Sequence, residues 1–127
     1  MFWPNIFMTF RKELGDKGEK IAEKYLRKQR YRILERNFQS RFGEIDLVAR
    51  EKNEIIFVEV KTKTGANFGF PEQEFSFAKK QKMRRAIQSW LWENKITHNN
   101  WRVDLVAIDY SQNPKAPQLR HYKYLNL

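Results

Sequence analysis

Two runs of alternating apolar side chains, residues 43–50 and 55–62, flank the four residues Glu51-Lys52-Asn53-Glu54. A period of two marks a strand with one buried face, and a short polar link between two such runs makes a hairpin. If the turn is symmetric about Lys52 and Asn53, Val48 faces Phe57, Asp46 faces Glu59 and Glu44 faces Lys61. These six share one face; Ile45, Leu47, Ala49, Ile56, Val58 and Val60 share the other, which is wholly apolar and must pack into a core. Directly opposed side chains stand about 4.5–5.5 Å apart at Cβ, so Asp46 and Glu59 repel unless a cation lies between them.

Two cations suit that place. Lys61 lies diagonal to Asp46 and two residues along from Glu59. A divalent ion suits it equally, because Mg²⁺ keeps several waters and takes only one or two protein carboxylates. A third reading has Glu44 paired with Lys61 across the ladder and both acids simply solvated, as surface charges usually are. The hairpin lies in mid-chain between two helical segments, which argues against an open edge.

The first of those segments, 13–30, repeats Leu14, Ile21, Ala22, Tyr25 and Leu26 at helical spacing. At about 100° per residue they fill one arc of the wheel, with Gly18 inside it. Glu19 falls at the edge of the arc beside Leu26 and looks along the seam between helix and sheet. It makes a third acid. The second segment, 77–94, has Ser76 as its cap and an apolar stripe of Met83, Ala86, Ile87, Trp90 and Leu91. That stripe leaves most of Lys79, Lys80, Lys82, Arg84 and Arg85 exposed, either a surface able to track phosphates or a plain solvated helix face. Further strands are expected at 32–39, 101–109 and 119–125, with Pro114 and Pro117 in the last turn. The order αβββαββ predicts a single α/β domain over 13–127, a mixed central sheet flanked by helices.

The net charge is +10, from 25 Lys and Arg against 15 Asp and Glu. A small domain this basic suits a polyanion, since nucleic acid releases counterions as it is neutralised. A ribosome or an anionic membrane surface gives the same signal. The absence of cysteine excludes disulfides, thiolate zinc sites and cysteine nucleophiles. That fits a reducing, cytoplasmic setting. No run approaches the roughly 20 apolar residues of a membrane span. The opening MFWPNIFMTF is broken by Pro4 and lacks the marks of a signal peptide, so residues 1–12 read as an arm that packs on the domain or on a partner. His98 and His121 share no ligand spacing and read as surface residues. Trp90, Trp92 and Trp101 read as core, with stacking on bases as the alternative. The loop 63–74 exceeds the usual length of about 4–6 residues and can close over a bound nucleic acid or serve as a plain connector.

Gly18-Glu19 with Ala22, Gly43-Glu44-Ile45-Asp46-Leu47 and Phe57-Val58-Glu59-Val60-Lys61 together resemble the YraN-type endonuclease-like family. That family is a bacterial branch of the restriction-endonuclease-like, PD-(D/E)xK superfamily, related to archaeal Holliday junction resolvases. The resemblance covers residues 15–109. It implies an αβββαβ restriction-endonuclease-like core and cleavage of DNA, branched forms included, with Mg²⁺ or Mn²⁺. By the same resemblance Asp46 and Glu59 hold the metal, and Glu19 completes the site directly or through water. Lys61 orients or deprotonates the attacking water; acids beside it favour the charged ammonium, so orientation and charge stabilisation are preferred. Arg102-Val103-Asp104 resembles the family's Arg-Phe-Asp strand, with Val103 in place of the aromatic. Lys63 stands where an Arg is usual, and Ile45 where the superfamily has proline. Glu44, Gln81 and Arg102 are supporting candidates. Symmetric cutting of a junction would require a homodimer. The rivals are a DNA-binding module of the same fold without turnover, and a basic RNA- or ribosome-associated protein.

Overall fold

Among the described residues seven elements follow one another as α1 (Ile6–Lys28), β1 (Arg32–Ser40), β2 (Gly43–Glu51), β3 (Glu54–Lys63), α2 (Phe77–Glu93), β4 (Trp101–Asp109) and β5 (Gln118–Tyr122). The computed structural model describes residues 6–64 and 76–127, with side chains from Lys12 onward. The expected order and class hold. The first helix begins earlier than its pattern suggests, at Ile6, so much of the expected arm continues α1. Most of the loop 63–74 lies outside the described residues. No helix among the described residues is long and apolar enough to cross a membrane.

Local chemistry sets the helix ends. Ser76 is extended, and its hydroxyl accepts the Lys79 N–H at 3.2 Å, capping α2. Past α1, Arg30 takes a left-handed φ of 69°, and the Tyr31 N–H reaches back to the Leu26 carbonyl at 2.9 Å. This closes the helix and turns the chain into β1.

The strands form one mixed sheet in the order β1-β2-β3-β4-β5. The β1–β2, β2–β3 and β4–β5 pairs are antiparallel, and β3–β4 is parallel. A parallel pair needs a crossover connection, and α2 lies within it. Each face of the sheet carries a helix. On one, α1 packs Ala22 and Leu26 against Leu47, Ala49, Ile56, Val58 and Val106. On the other, α2 packs Met83, Ile87 and Trp90 against Phe38, Ile45, Val48 and Phe57. Covering on both sides explains why β4 reads as a nearly continuous apolar run.

The expected hairpin faces hold for every apolar residue but Ile45. Val48 and Phe57 share a face, as expected, and are fully buried under α2. Ile45 packs with them rather than with Leu47, so alternation slips by one residue between Ile45 and Leu47. Strand β1 slips at the matching place. Arg36 pairs with Glu23 of α1 at 2.6 Å, whereas Phe38 lies in the core under α2. Between them Asn37 has φ 51°, a conformation that reverses the pleat and that Asn tolerates better than most residues. Because Arg36 faces Leu47 and Phe38 faces Ile45, both strands turn over at Asn37 and Asp46.

Helix α1 sits so close to β3 that a Cβ on Gly18 would collide with Thr62 Oγ1. Gly18→Ala should therefore push the helix outward and lower stability by about 1–3 kcal/mol in urea unfolding. Gly15→Ala meets nothing within 4 Å. It should instead stabilise the helix by about 0.5–1 kcal/mol.

Candidate active site

The β2–β3 ladder runs from Glu51↔Glu54 through Val48↔Phe57 to Leu47↔Val58, the predicted register, and stops there. Beyond Leu47, β2 stays with β1 as far as Ser40↔Gly43, while β3 stays with β4 as far as Lys63↔Asp109. The two middle strands part at Asp46 and Glu59. The expected ladder positions Asp46–Glu59 and Glu44–Lys61 are thus not backbone pairs. In their place Asp46 Oδ2 accepts the Val60 N–H at 2.7 Å. A side chain occupies the acceptor position that the departing strand has vacated, and this satisfies a donor the parting would orphan.

Asp46 is buried, with 9% exposure. It shares a hydrogen bond with Glu59 and another with Glu19. Glu59, from β3, lines a cleft of about 260 Å³ together with Glu44, Lys61, Lys79 and Lys82. Glu19, from α1, lines a second cleft of about 380 Å³ with Asp16, Glu23 and Arg36. Asp46 acts on both acids, Glu59 from one cleft and Glu19 from the other.

The three acids cannot ionise together without cost. Burial, then the charge of Asp46, pushes the Glu59 pKa up to about 8, and Lys61 and Lys79 oppose the shift. Burial, again followed by Asp46, pushes Glu19 up to about 7. Asp46 is raised by burial, against the Val60 N–H and the Glu59 hydrogen bond. Near neutral pH the cluster retains a proton in place of a full set of charges.

The expected site residues divide. Asp46, Glu59, Glu19 and Lys61 come together. Glu44 lines the same cleft and accepts Gln39 Nε2–H at 2.7 Å. Lys79, Lys82, Arg84 and Arg85 are exposed on α2 as predicted, while Lys80 and Gln81 are half-buried. Lys63 is buried at the end of β3, where its carbonyl accepts the Tyr110 N–H at 2.8 Å. An open phosphate contact is not its position.

Arg102 lies away from the cleft, in a buried polar network under α1. Its guanidinium meets Asp104 at 3.0 Å, Glu51 at 3.6 Å, the Tyr31 hydroxyl at 2.7 Å, and Glu54. Asp104 in turn lies 2.7 Å from His121 Nε2, and His121 Nδ1 lies 3.0 Å from the Tyr25 hydroxyl. The surface reading of His121 is therefore corrected, its side chain being 6% exposed. The core reading fails for Trp92, which is 85% exposed, whereas Trp90 is buried and Trp101 packs edge-on against Phe57.

Among the described residues no group of three or more His, Asp or Glu side chains is arranged to ligate one metal ion. Glu19 thus enters as a neighbour of Asp46 rather than as an arranged third ligand. The pair Asp46 and Glu59 fits Mg²⁺ or Mn²⁺, hard cations that take oxygen donors and need few carboxylates from the protein.

Fold and site define a two-helix α/β domain with a five-stranded mixed sheet, consistent with a restriction-endonuclease-like core and with acids and lysines gathered where the sheet opens. The chain belongs to the group described as uncharacterised protein family UPF0102, whose model matches residues 18–108. That span starts at Gly18 and closes near the end of β4. It is 44% identical to a UPF0102 protein of Caldanaerobacter subterraneus over 98 residues, 77% of this chain and 80% of the relative. A UPF0102 protein of Carboxydothermus hydrogenoformans is 42% identical over 81% of this chain and 87% of its own length. One from Geobacter metallireducens is 42% identical over 87% and 88%.

Proposed function

We propose that this protein is a divalent-metal-dependent endonuclease of the YraN-type, PD-(D/E)xK group that hydrolyses DNA phosphodiesters. One observation carries the reading: Asp46 and Glu59 meet, beside Lys61, at the point where β2 leaves β3. Asp46 and Glu59 would hold Mg²⁺ or Mn²⁺. Bound there, the ion would polarise the phosphate and lower the pKa of a bound water. Asp46 is kept in place by the Val60 N–H, so its orientation precedes ligand binding. Lys61 presents its ammonium in the same cleft, to orient water and offset charge on phosphate oxygens. Lys79 and Lys82 extend the positive charge along the rim, where contacts to phosphate position the strand. The net charge of +10 supports a polyanionic substrate, and the cysteine-free composition supports a cytoplasmic setting. A second reading, a DNA-binding module without turnover, is favoured by the lack of an arranged third ligand among the described residues.

Nicking of supercoiled and of branched DNA tests the choice. Wild type should cut only with Mg²⁺ or Mn²⁺ present, and Asp46→Asn should abolish cutting while DNA binding persists. Lys61→Ala should cost about 10²–10³ in rate by removing a charge aimed at the reacting phosphate. If wild type cuts no form of DNA with either ion, the enzyme reading fails and the binding module remains.

A further inference from the structure

We infer that α2 and the β1–β2 turn form a stacking platform for unpaired nucleotides of single-stranded DNA, adjoining the acidic cleft. Trp92 is 85% exposed. A large aromatic held out in water on a rigid helix is the kind of exposed apolar feature that marks an interaction site. Arg85, Gln88 and Trp92 follow at spacings of three and four on α2, so they form one ridge. Phe42 leans on that ridge from the β1–β2 turn. Its ring lies 5.6 Å from the Arg85 guanidinium carbon and 4.8 Å from that of Arg41. The turn itself is pinned, because Ser40 Oγ accepts the N–H groups of Phe42 and Gly43, each at 3.2 Å. Phe42, Arg85, Gln88 and Trp92, with Arg84 and Ser89, line a shallow depression of about 560 Å³, in which Glu93 is the one acid among the lining residues.

The depression adjoins the cleft, its lining residues neighbouring those of the cleft both in the turn and along α2. Gly43 follows Phe42 in the chain and lines the Glu59 cleft beside Lys82. A Cβ on Gly43 would lie 3.6 Å from that of Lys82, ordinary van der Waals contact, so the turn packs against α2. A path therefore runs from Glu59 past Lys79 and Lys82 to Arg85, Phe42 and Trp92. It carries positive charge along the cleft end and aromatic faces at the far end. A ligand that matches both must offer phosphates and free base faces together, and a duplex hides its base faces in the stack. An unpaired strand offers both. The inference deepens the endonuclease reading and rests on it only for what lies at the cleft end of the path.

Binding to the full chain should be measured by fluorescence anisotropy in EDTA at one salt concentration, so that cleavage plays no part. The probes are a labelled oligothymidylate of about 12 nucleotides, within the span such grooves cover, an abasic oligomer of equal length, and a blunt duplex of equal length. Trp92→Ala and Phe42→Ala should each weaken oligothymidylate binding about 5- to 100-fold, the loss expected of one stacked base. Trp92→Phe should restore most of it, and binding of the abasic oligomer should be indifferent to Trp92→Ala. Trp92 is exposed, so its removal leaves the core intact, and circular dichroism verifies this. The platform is overturned if Trp92→Ala binds oligothymidylate as wild type does, or if wild type holds the abasic oligomer or the duplex equally well. Failure of the two readings is distinguishable. A wild type that cuts no DNA but loses single-strand binding through Trp92→Ala retains the platform without the enzyme. One that cuts DNA while Trp92→Ala binds normally retains the enzyme without the platform.

Discussion

Arg102→Ala should cost the domain about 3–5 kcal/mol, the penalty for removing one partner of a buried ion pair. In urea the unfolding midpoint should fall by on the order of 2 M. Arg102 is 6% exposed and Asp104 fully buried. The guanidinium joins the closing end of the β2–β3 hairpin, through Glu51 and Glu54, to β4 and to Tyr31 at the start of β1. Tyr124 lays its ring 4.7 Å from the same guanidinium. Without it Asp104 keeps only His121 and the Tyr124 N–H at 3.2 Å. Burial alone would raise the Asp104 pKa, but His121 and Arg102 hold it below its ordinary 3.8. A depressed carboxyl contributes stability above its unfolded pKa and loses it as pH falls through the folded value. The Arg102→Ala penalty should therefore be full at neutral pH and shrink on acidification. Replacing both partners with apolar residues, Arg102→Met with Asp104→Leu, should recover part of the loss because no charge is left buried alone. A neutral-pH midpoint unchanged in Arg102→Ala would mean that the network does not hold this fold together.

The hairpin register is legible in the sequence because the turn leaves little choice: Lys52 takes a φ of 56°, and a one-residue shift would expose the apolar set. The place of Glu19 is legible too, since a helical wheel fixes which edge of α1 it occupies. The parting of the strands is not. Alternation assigns one face to each residue and cannot show that Asn37 reverses the pleat, or that Asp46 will bond to a backbone N–H in place of a ladder partner. It therefore places Ile45 with Leu47, whereas Ile45 packs with Val48 and Phe57 under α2. Trp92 could have been placed correctly. Two positions along a helix is a rotation of about 200°, so Trp90 and Trp92 cannot both face the sheet. His121 had no such signal; its burial depends on Tyr25 and Asp104, brought from distant parts of the chain by the β4–β5 pairing.

Glu59→Gln should move stability and activity in opposite directions. The Glu59 pKa, ordinarily 4.5, is pushed up to about 8 by burial and by Asp46. Between those values the folded state binds more protons than the unfolded chain, so stability falls as pH rises through that window. Glu19, raised to about 7, acts in the same sense. A glutamine keeps a hydrogen-bonding group beside Asp46 but cannot ionise. In EDTA the variant should match wild type near pH 4, below the ordinary 4.5, where Glu59 is neutral in the folded state and mostly so in the unfolded chain. Near pH 9 it should be more stable by on the order of 2 kcal/mol, since each tenfold change in proton affinity is worth about 1.4 kcal/mol before solvent and relaxation reduce it. Cleavage should fall by more than the roughly 10–100-fold lost when a group that merely supports a metal ligand is changed. Mg²⁺ should stabilise wild type at pH 9, because an ion that binds only the folded form shifts the equilibrium, and should do so less for the variant. A variant that loses stability and cleavage together would make Glu59 a structural acid. One that gains stability while losing cleavage would show that the strand parting holds two carboxyls in mutual repulsion for the sake of the cation that relieves it.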